Sequence, residues 1–430
     1  MLSFALLCEL YIFPETASRQ DAKTQSTQGS LNAEEYELYS GVQSMIYLDN
    51  NATTQVAPEV FEAMRPFLTT HYGNPSSGHA LGRESRAAID TARQQVADLL
   101  GASSASEIVF TSCGSESNNW AIGGFLEQNA DRRHIITTRV EHEAVRKLCD
   151  HLSQIGCEVT WLDVDEQGAI DLDDLRKALR RDTGIVSIML ANNETGVLFP
   201  MAEIGNIIRE HSDAVFHVDG VQAVGKIPIN LGDSAVDLFS LSGHKFHAPK
   251  GIGALFIRDG LKLPPFVIGG GQEHNRRSGT EAVPNIVALG RASELAKKFA
   301  GSGQIRALRD RLERKILEII PDTKINGITQ ANKRLPNTTN ISFDGLVGPD
   351  LVAALDKLEI CVSSGSACHA DSADVSPVLA AMNVSHSLAL GSIRFSLGRY
   401  NTEAEVEELI SLLPETVESL RRKPRSAAAI

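Results

Sequence analysis

From residue 45 onward, short apolar runs alternate with longer stretches whose apolar positions recur at helical spacing. That alternation predicts an α/β fold with a mainly parallel sheet. Strands are expected at 46–48, 107–111, 133–137, 158–162, 185–190, 214–218, 238–241 and 253–257. Helices are expected at 85–100, 143–155, 172–180 and 201–211, where the apolar period is that of one helix face. A charged amphipathic stretch at 286–320 reads as one long connecting helix ending at Pro321. Beyond it the pattern changes to strand-like 340–343, helix-like 348–358, and strand-like 360–363 and 392–396. We therefore expect a large domain at 45–300, its first residues packing with the smaller one, and a small α+β domain at 301–430.

Residues 1–44 follow a different pattern. The first 14 hold an apolar run without the basic start and small-residue cleavage pattern of a secretory signal, and the run is too short to span a bilayer. Residues 15–44 are rich in Gln, Ser, Thr, Glu and Ala with little to bury, which predicts a flexible extension. Met45, just before the first strand, is a candidate start of translation.

Composition narrows the function class. A chain of 430 residues with 42% hydrophobic content can bury the cores of two domains. The balance of 41 basic against 54 acidic side chains, net −13, is no footprint for nucleic acid and argues against an anionic membrane surface. Small polar substrates or protein partners fit better. Six cysteines without CxxC spacing point to neither a zinc ribbon nor a disulfide scaffold, and so to a reducing, cytoplasmic setting.

Two sites stand out as chemistry. Ser363-Ser364-Gly365-Ser366-Ala367-Cys368-His369 places one thiol among small residues, so Cys368 is presented or merely incidental. Ser240-Leu241-Ser242-Gly243-His244-Lys245 reads as a buried strand breaking into a polar turn, a place for a Schiff-base lysine. A carbonyl-trapping lysine suggests pyridoxal phosphate, and each further requirement of that cofactor has a candidate. Thr111-Ser112-Cys113-Gly114-Ser115 runs from a strand into a helix start, either a phosphate cup using Gly114 and Ser115 or a plain helix cap. Asp219 closes a strand where α/β sheets place ligand-binding groups, with Gln222 just beyond, although a helix-capping Asp uses the same position. His142 follows a strand and is a candidate to stack on a ring, and Asn193 lies in a turn-like Asn192-Asn193-Glu194-Thr195-Gly196. Arg394, on an alternating strand, is a carboxylate clamp or a surface charge, and taken alone the surface charge is the expectation.

Taken together, Leu48-Asp49-Asn50-Asn51-Ala52-Thr53-Thr54, Gly73-Asn74-Pro75-Ser76-Ser77, Gly114-Ser115-Glu116, Glu141-His142, Asn192 to Gly196, Ser242 to Lys245, Arg277-Ser278-Gly279-Thr280 and the Cys368 segment resemble the cysteine desulfurases of the NifS and IscS kind. These belong to the class V aminotransferase group of fold-type I pyridoxal-phosphate enzymes. The resemblance runs from about residue 45 to about 420. It implies a Schiff base on Lys245, a ring stacked by His142, a pyridine nitrogen paired with Asp219, and cofactor oxygens bound by Asn193 and Gln222. It implies a phosphate held by Gly114, Ser115, Ser242 and His244, with Thr280 supplied by the second subunit of a homodimer. Arg394 and Asn193 would grip the carboxylate of L-cysteine. Cys368 would take the sulfur as a persulfide, with His142 as proton acceptor, and pass it to an acceptor such as an iron–sulfur scaffold protein. No metal site is expected beyond a transient cluster ligand role for Cys368.

This chain departs from the pattern in places. Cys113-Gly114-Ser115 stands where Gly-Gly-Thr is common, and cofactor binding is expected to survive it. Glu143 follows His142 where Lys is common, and a carboxylate there would disfavour a thiolate. Gly269-Gly270-Gly271-Gln272-Glu273 and the residues around Cys368 and Pro377 also resemble the selenocysteine lyases, so release of selenide from L-selenocysteine is the alternative. An aminotransferase or a non-catalytic scaffold on this fold would not need Cys368.

Overall fold

The computed structural model describes residues 45–301, 303–364 and 375–422. Expectations about residues 1–44 and about Cys368 fall outside the described residues. From Met45 onward the described chain forms one compact unit.

It opens on β1 (Ile46–Tyr47), and then seven strands form one sheet: β2 (Ile108–Thr111), β3 (His134–Thr138), β4 (Glu158–Leu162), β5 (Thr183–Ser187), β6 (Val215–Asp219), β7 (Leu238–Ser242) and β8 (Gly253–Ile257). Their order is β2-β8-β7-β6-β5-β3-β4. Every pair is parallel except those of β8, which runs antiparallel to both β7 and β2. The ends of β2, β3, β5, β6 and β7 therefore open at one edge, where open α/β sheets bind ligands. All of these strands but β4 are buried along their whole length. Their continuous apolar runs follow from helices covering both faces.

A second sheet, β12-β13-β10-β9, is built from β9 (Thr323–Ile325), β10 (Thr338–Phe343), β12 (Ser363–Ser364) and β13 (Ser392–Ser396). β11 (Ile360–Cys361) pairs with β1 instead, so the expected strand at 360–363 is two short bridges in two sheets. Ile46 and Leu48 lie in the apolar cluster that also holds Leu312, Ile341, Phe395 and Leu409. Each such fully buried aliphatic side chain is worth about 1.5–3 kcal/mol.

Three expected elements change. The stretch 286–320 is two helices, Val283–Phe299 and Gly303–Ile319. Gly301, at φ +78°, turns the chain between them, a conformation that costs glycine nothing. The helix expected from residue 85 starts at Ala80, because the His79 side chain accepts a hydrogen bond from the Gly82 N–H and caps it. The strand expected at 185–190 is regular only to Ser187, although the Ile188 and Leu190 N–H groups still bond the His217 and Asp219 carbonyls of β6.

Candidate active site

The strand ends converge on a cleft of about 690 Å³, counting its open mouth. Its lining includes Gly114, Ser115, His142, Asn193, Asp219, Gln222, Ser242, His244 and Lys245. Nine of the predicted site residues are thus brought together. Arg394 stands beside them, and Thr280 is exposed and does not line this chain's cleft.

Lys245 ends a single turn of 3-10 helix that leaves β7. Its Nζ donates to the Asn51 carbonyl at 2.7 Å and to the Ala52 carbonyl at 2.8 Å, so the first motif of the chain receives the lysine. Asp219 is buried at the end of β6. Its Oδ2 accepts from Asn118 Nδ2 at 2.7 Å and its Oδ1 from the Val221 N–H at 3.0 Å, which fixes the carboxylate. A plain capping role does not account for that bond from Asn118, which sits on the helix following the phosphate-cup turn.

His142 caps the helix Glu143–Gln154, its Nδ1 accepting from the Ala144 N–H at 3.1 Å. The neutral ring therefore carries its proton on Nε2. Desolvation in the cleft lowers the His142 pKa; Asp219 opposes that shift, Lys245 adds to it and Glu143 opposes it. Accepting a proton at Nδ1 displaces the Ala144 bond, so the expected proton acceptor is a donor at Nε2 in this state. The Glu143 carboxylate is engaged by Lys147 at 2.9 Å and Arg146 at 3.1 Å. Much of its charge is answered there, which weakens the expectation that it opposes a thiolate.

Arg394 corrects a second expectation. Its side chain is 9% exposed and no surface charge: Nη2 bonds Asp49 Oδ1 at 2.6 Å and Nη1 donates to the Asn193 carbonyl at 3.1 Å. Nε is buried without a partner. β13 pairs Arg394 opposite Ser363, the entrance to the segment that carries Cys368. At the other end of that segment Ser376 Oγ donates to Glu194 Oε2 at 2.6 Å, next to Asn193. Burial pushes the Glu194 carboxyl up to about 7.

The residues fit pyridoxal phosphate. Asn193 Oδ1 and Ser242 Oγ are buried polar atoms with no partner, both in cleft-lining residues. A Cβ on Gly114 would lie 2.6 Å from Val221 Cγ2, so the backbone approach there requires glycine. Cys113, with φ −172°, is in extended backbone that any residue adopts, so its replacement of a glycine costs no strain. His244 is held down to about 4 by burial, with Lys245 and Lys250 adding repulsion, and is a neutral hydrogen-bonding group.

Glu273, noted in the glycine-rich run, is buttress and not chemistry. It is buried against Arg93 through two contacts of 2.7 Å and accepts from the Phe110 N–H at 3.0 Å. Sequence reasoning gave no role to Asn51, Asn118 or Lys226, each of which has a partner more than 100 positions away. Only Asn51 and Asn118 belonged to polar motifs that hinted at one.

The model of the family described as aminotransferase class-V matches residues 46–409. Cysteine desulfurase 2 of Trichormus variabilis is 53% identical over 88% of this chain and 94% of its own length. The cysteine desulfurase NifS of Azotobacter vinelandii is 46% identical over 87% of this chain and 93% of its own. The chain belongs to the class V aminotransferases. Among solved structures, a NifS-like protein superposes with a TM-score of 0.82 at 40% identity, covering 87% of this chain and all of that one. The fold is accordingly that of the fold-type I enzymes of this class, whose cysteine desulfurases are enzymes dependent on pyridoxal phosphate. Among the described residues no cluster of potential metal ligands occurs, and no helix is long and apolar enough to cross a membrane.

Proposed function

We propose that this protein is a cysteine desulfurase that converts L-cysteine to L-alanine and holds the sulfur as a persulfide on Cys368. The observation that carries the reading is the convergence of Lys245, Asp219, His142 and Asn193 on one cleft whose rim holds Arg394. The relatives of known name, similar along nearly the whole chain, support the same activity.

Pyridoxal phosphate, when bound, supplies an electron sink for charge developing on the substrate's carbons. Lys245 would hold it covalently, Asp219 its ring nitrogen, Asn193 and Gln222 its ring oxygen, and Gly114, Ser115, Ser242 and His244 its phosphate. Thr280 of a second copy of the chain would complete that phosphate site in a homodimer.

The rest follows from the chain's own side chains. Arg394 has donors to spare beyond Asp49 and Asn193, including Nε, and offers them to the substrate carboxylate. The Lys245 amine, once released, removes the α-proton. The Cys368 thiolate attacks the substrate sulfur: an S–S bond forms, the Cβ–S bond breaks, and its electron pair is protonated at carbon to give alanine. Oxidation state balances: the transferred sulfur gives up two electrons to the carbon that becomes the alanine methyl group, so no external oxidant is needed. A thiol near its ordinary pKa of about 8.5 is only partly ionised at neutral pH, so a proton must leave it. His142 would carry it, taking the proton at Nδ1 as the Ala144 cap bond opens and then releasing one from Nε2. Cys368 follows Ser364 by four residues, a length of chain that spans at most about 14 Å. The persulfide sulfur then passes to an acceptor protein in a reducing, cytoplasmic setting, an iron–sulfur scaffold being the expected kind.

The test is product analysis with L-cysteine and, separately, L-selenocysteine, using Cys368→Ala as control. Alanine and sulfide from cysteine, lost in the variant, support the reading. Turnover of selenocysteine alone makes the enzyme a selenocysteine lyase and overturns it.

A further inference from the structure

Lys226 belongs to none of the motifs above, yet its amine sits at the junction of the site. Its Nζ donates to Asn51 Oδ1 at 2.8 Å and to Gln222 Oε1 at 2.8 Å. Gln222 Nε2 in turn donates to the Asn51 carbonyl at 2.9 Å, the same oxygen that receives Lys245 Nζ at 2.7 Å. Lys226 borders the neighbouring cavity and not the cleft, so it does not touch a ligand seated there. Its own backbone is tied down, because the Gly301 N–H bonds the Lys226 carbonyl at 3.1 Å.

The chemistry of this junction leaves one arrangement. An amide is ambiguous by shape, and only its partners decide which end is oxygen. Turning Gln222 over would set its NH2 against the Lys226 amine and its oxygen against the Asn51 carbonyl, losing both bonds. With Lys226 in place, Gln222 presents its NH2 end to Asn51, and one N–H remains for an oxygen in the cleft. Burial lowers the Lys226 pKa well below the lysine range, and Lys245 and Arg394 add to the effect.

We propose that Lys226 is a positioning residue: it fixes the orientation of the Gln222 amide and the placement of Asn51, and through them the donor to the cofactor's ring oxygen and the seat of the Lys245 amine. The inference rests on the proposed function, since it takes pyridoxal phosphate as the ligand. It concerns this chain's own hydrogen bonds and predicts coupling between two residues that bond each other and both bond Asn51.

The experiment is a double-mutant cycle of Lys226→Met and Gln222→Leu, read as the dissociation constant for pyridoxal phosphate in titrations of the apo-protein, with melting of each apo-protein measured alongside. Lys226→Met is expected to weaken binding roughly 10–100-fold, as loss of a residue that orients a ligand-holding group does. In the Gln222→Leu background the same change is expected to cost several-fold less, because one of its two partners is already gone and only the bond to Asn51 remains to lose. An equal loss in both backgrounds means a general structural role and overturns the proposal, as does unchanged binding in the single variant. Should Lys226→Met fail to fold, Lys226→Arg keeps the donors: binding within about threefold of the parent supports the proposal, and a loss as large as that of Gln222→Leu overturns it. A parent protein that binds no pyridoxal phosphate overturns the functional reading together with this inference. A parent that binds it beside an indistinguishable Lys226→Met overturns this inference alone.

Discussion

On one side of the cleft, Lys245, Asp219 and the turn before Gly114 stand at the ends of strands buried along their whole length. On the other side Arg394 comes from β13 of the second sheet, paired to β10 and to the two-residue β12, with Asp49 beside it and the Asn193 carbonyl reaching across from the first side. Both walls stand on sheet ladders, and individual polar contacts between distant parts of the chain join the second to the first. Cofactor chemistry belongs on the first, where a misplacement of an ångström is costly. Substrate recognition and sulfur uptake belong on the second, next to both feet of the segment that carries Cys368.

The comparison breaks first at Lys245. Lys245→Ala is expected to lower kcat by at least about 10⁴-fold, as loss of both the covalent tether and the proton-abstracting amine. It should also remove the visible Schiff-base absorbance while leaving the far-UV spectrum unchanged. The buttress of the first wall comes next. Glu273→Ala strands the buried Arg93 guanidinium and is expected to cost about 3–5 kcal/mol in denaturant unfolding. Arg394→Leu sharpens the contrast: KM for L-cysteine should rise roughly 10–100-fold while cofactor affinity stays within about threefold, measured by kinetics and titration.

The last effect expected is a pH dependence from Glu141. This carboxyl, 4% exposed, is pushed up to about 8 by burial, with Asp219 adding to the shift, while hydrogen bonds from Thr138 and the Met189 N–H oppose it. Its folded pKa lies above its unfolded value, so the folded state binds the proton more tightly. That contribution is complete below the unfolded pKa near 4.5 and is lost as pH rises through about 8. Unfolding of the parent from pH 5 to 8.5 should therefore show a loss of up to about 4 kcal/mol that Glu141→Gln lacks.

Much of this architecture was legible in the sequence. β4 and β8 begin and end at the expected residues, and the turn at Lys245, the strand-end Asp219 and the helix start at Gly114 lie where the pattern put them. Strands buried on both faces announce themselves as apolar runs, and the chemistry sits at their ends. Arg394 was legible as a strand residue but not as a buried one, because its burial comes from Asp49, 345 positions earlier in the chain. The break at Gly301 was hidden because two amphipathic helices with the same charged character flank it. His142 was placed correctly as a residue facing the cleft, while the proton on its Nε2 depended on a cap bond that only coordinates reveal. Lys226 and Asn51 are ordinary polar residues until their partners are known.

The central claim is that sulfur leaves L-cysteine for Cys368, and the most direct measurement is the mass of the enzyme's cysteine peptides after a single turnover without reductant. The account predicts one additional sulfur atom on the peptide containing Cys368, with alanine formed in equal amount. Alanine formed while that peptide stays unmodified, or the sulfur found instead on Cys113 in the cleft, would contradict it.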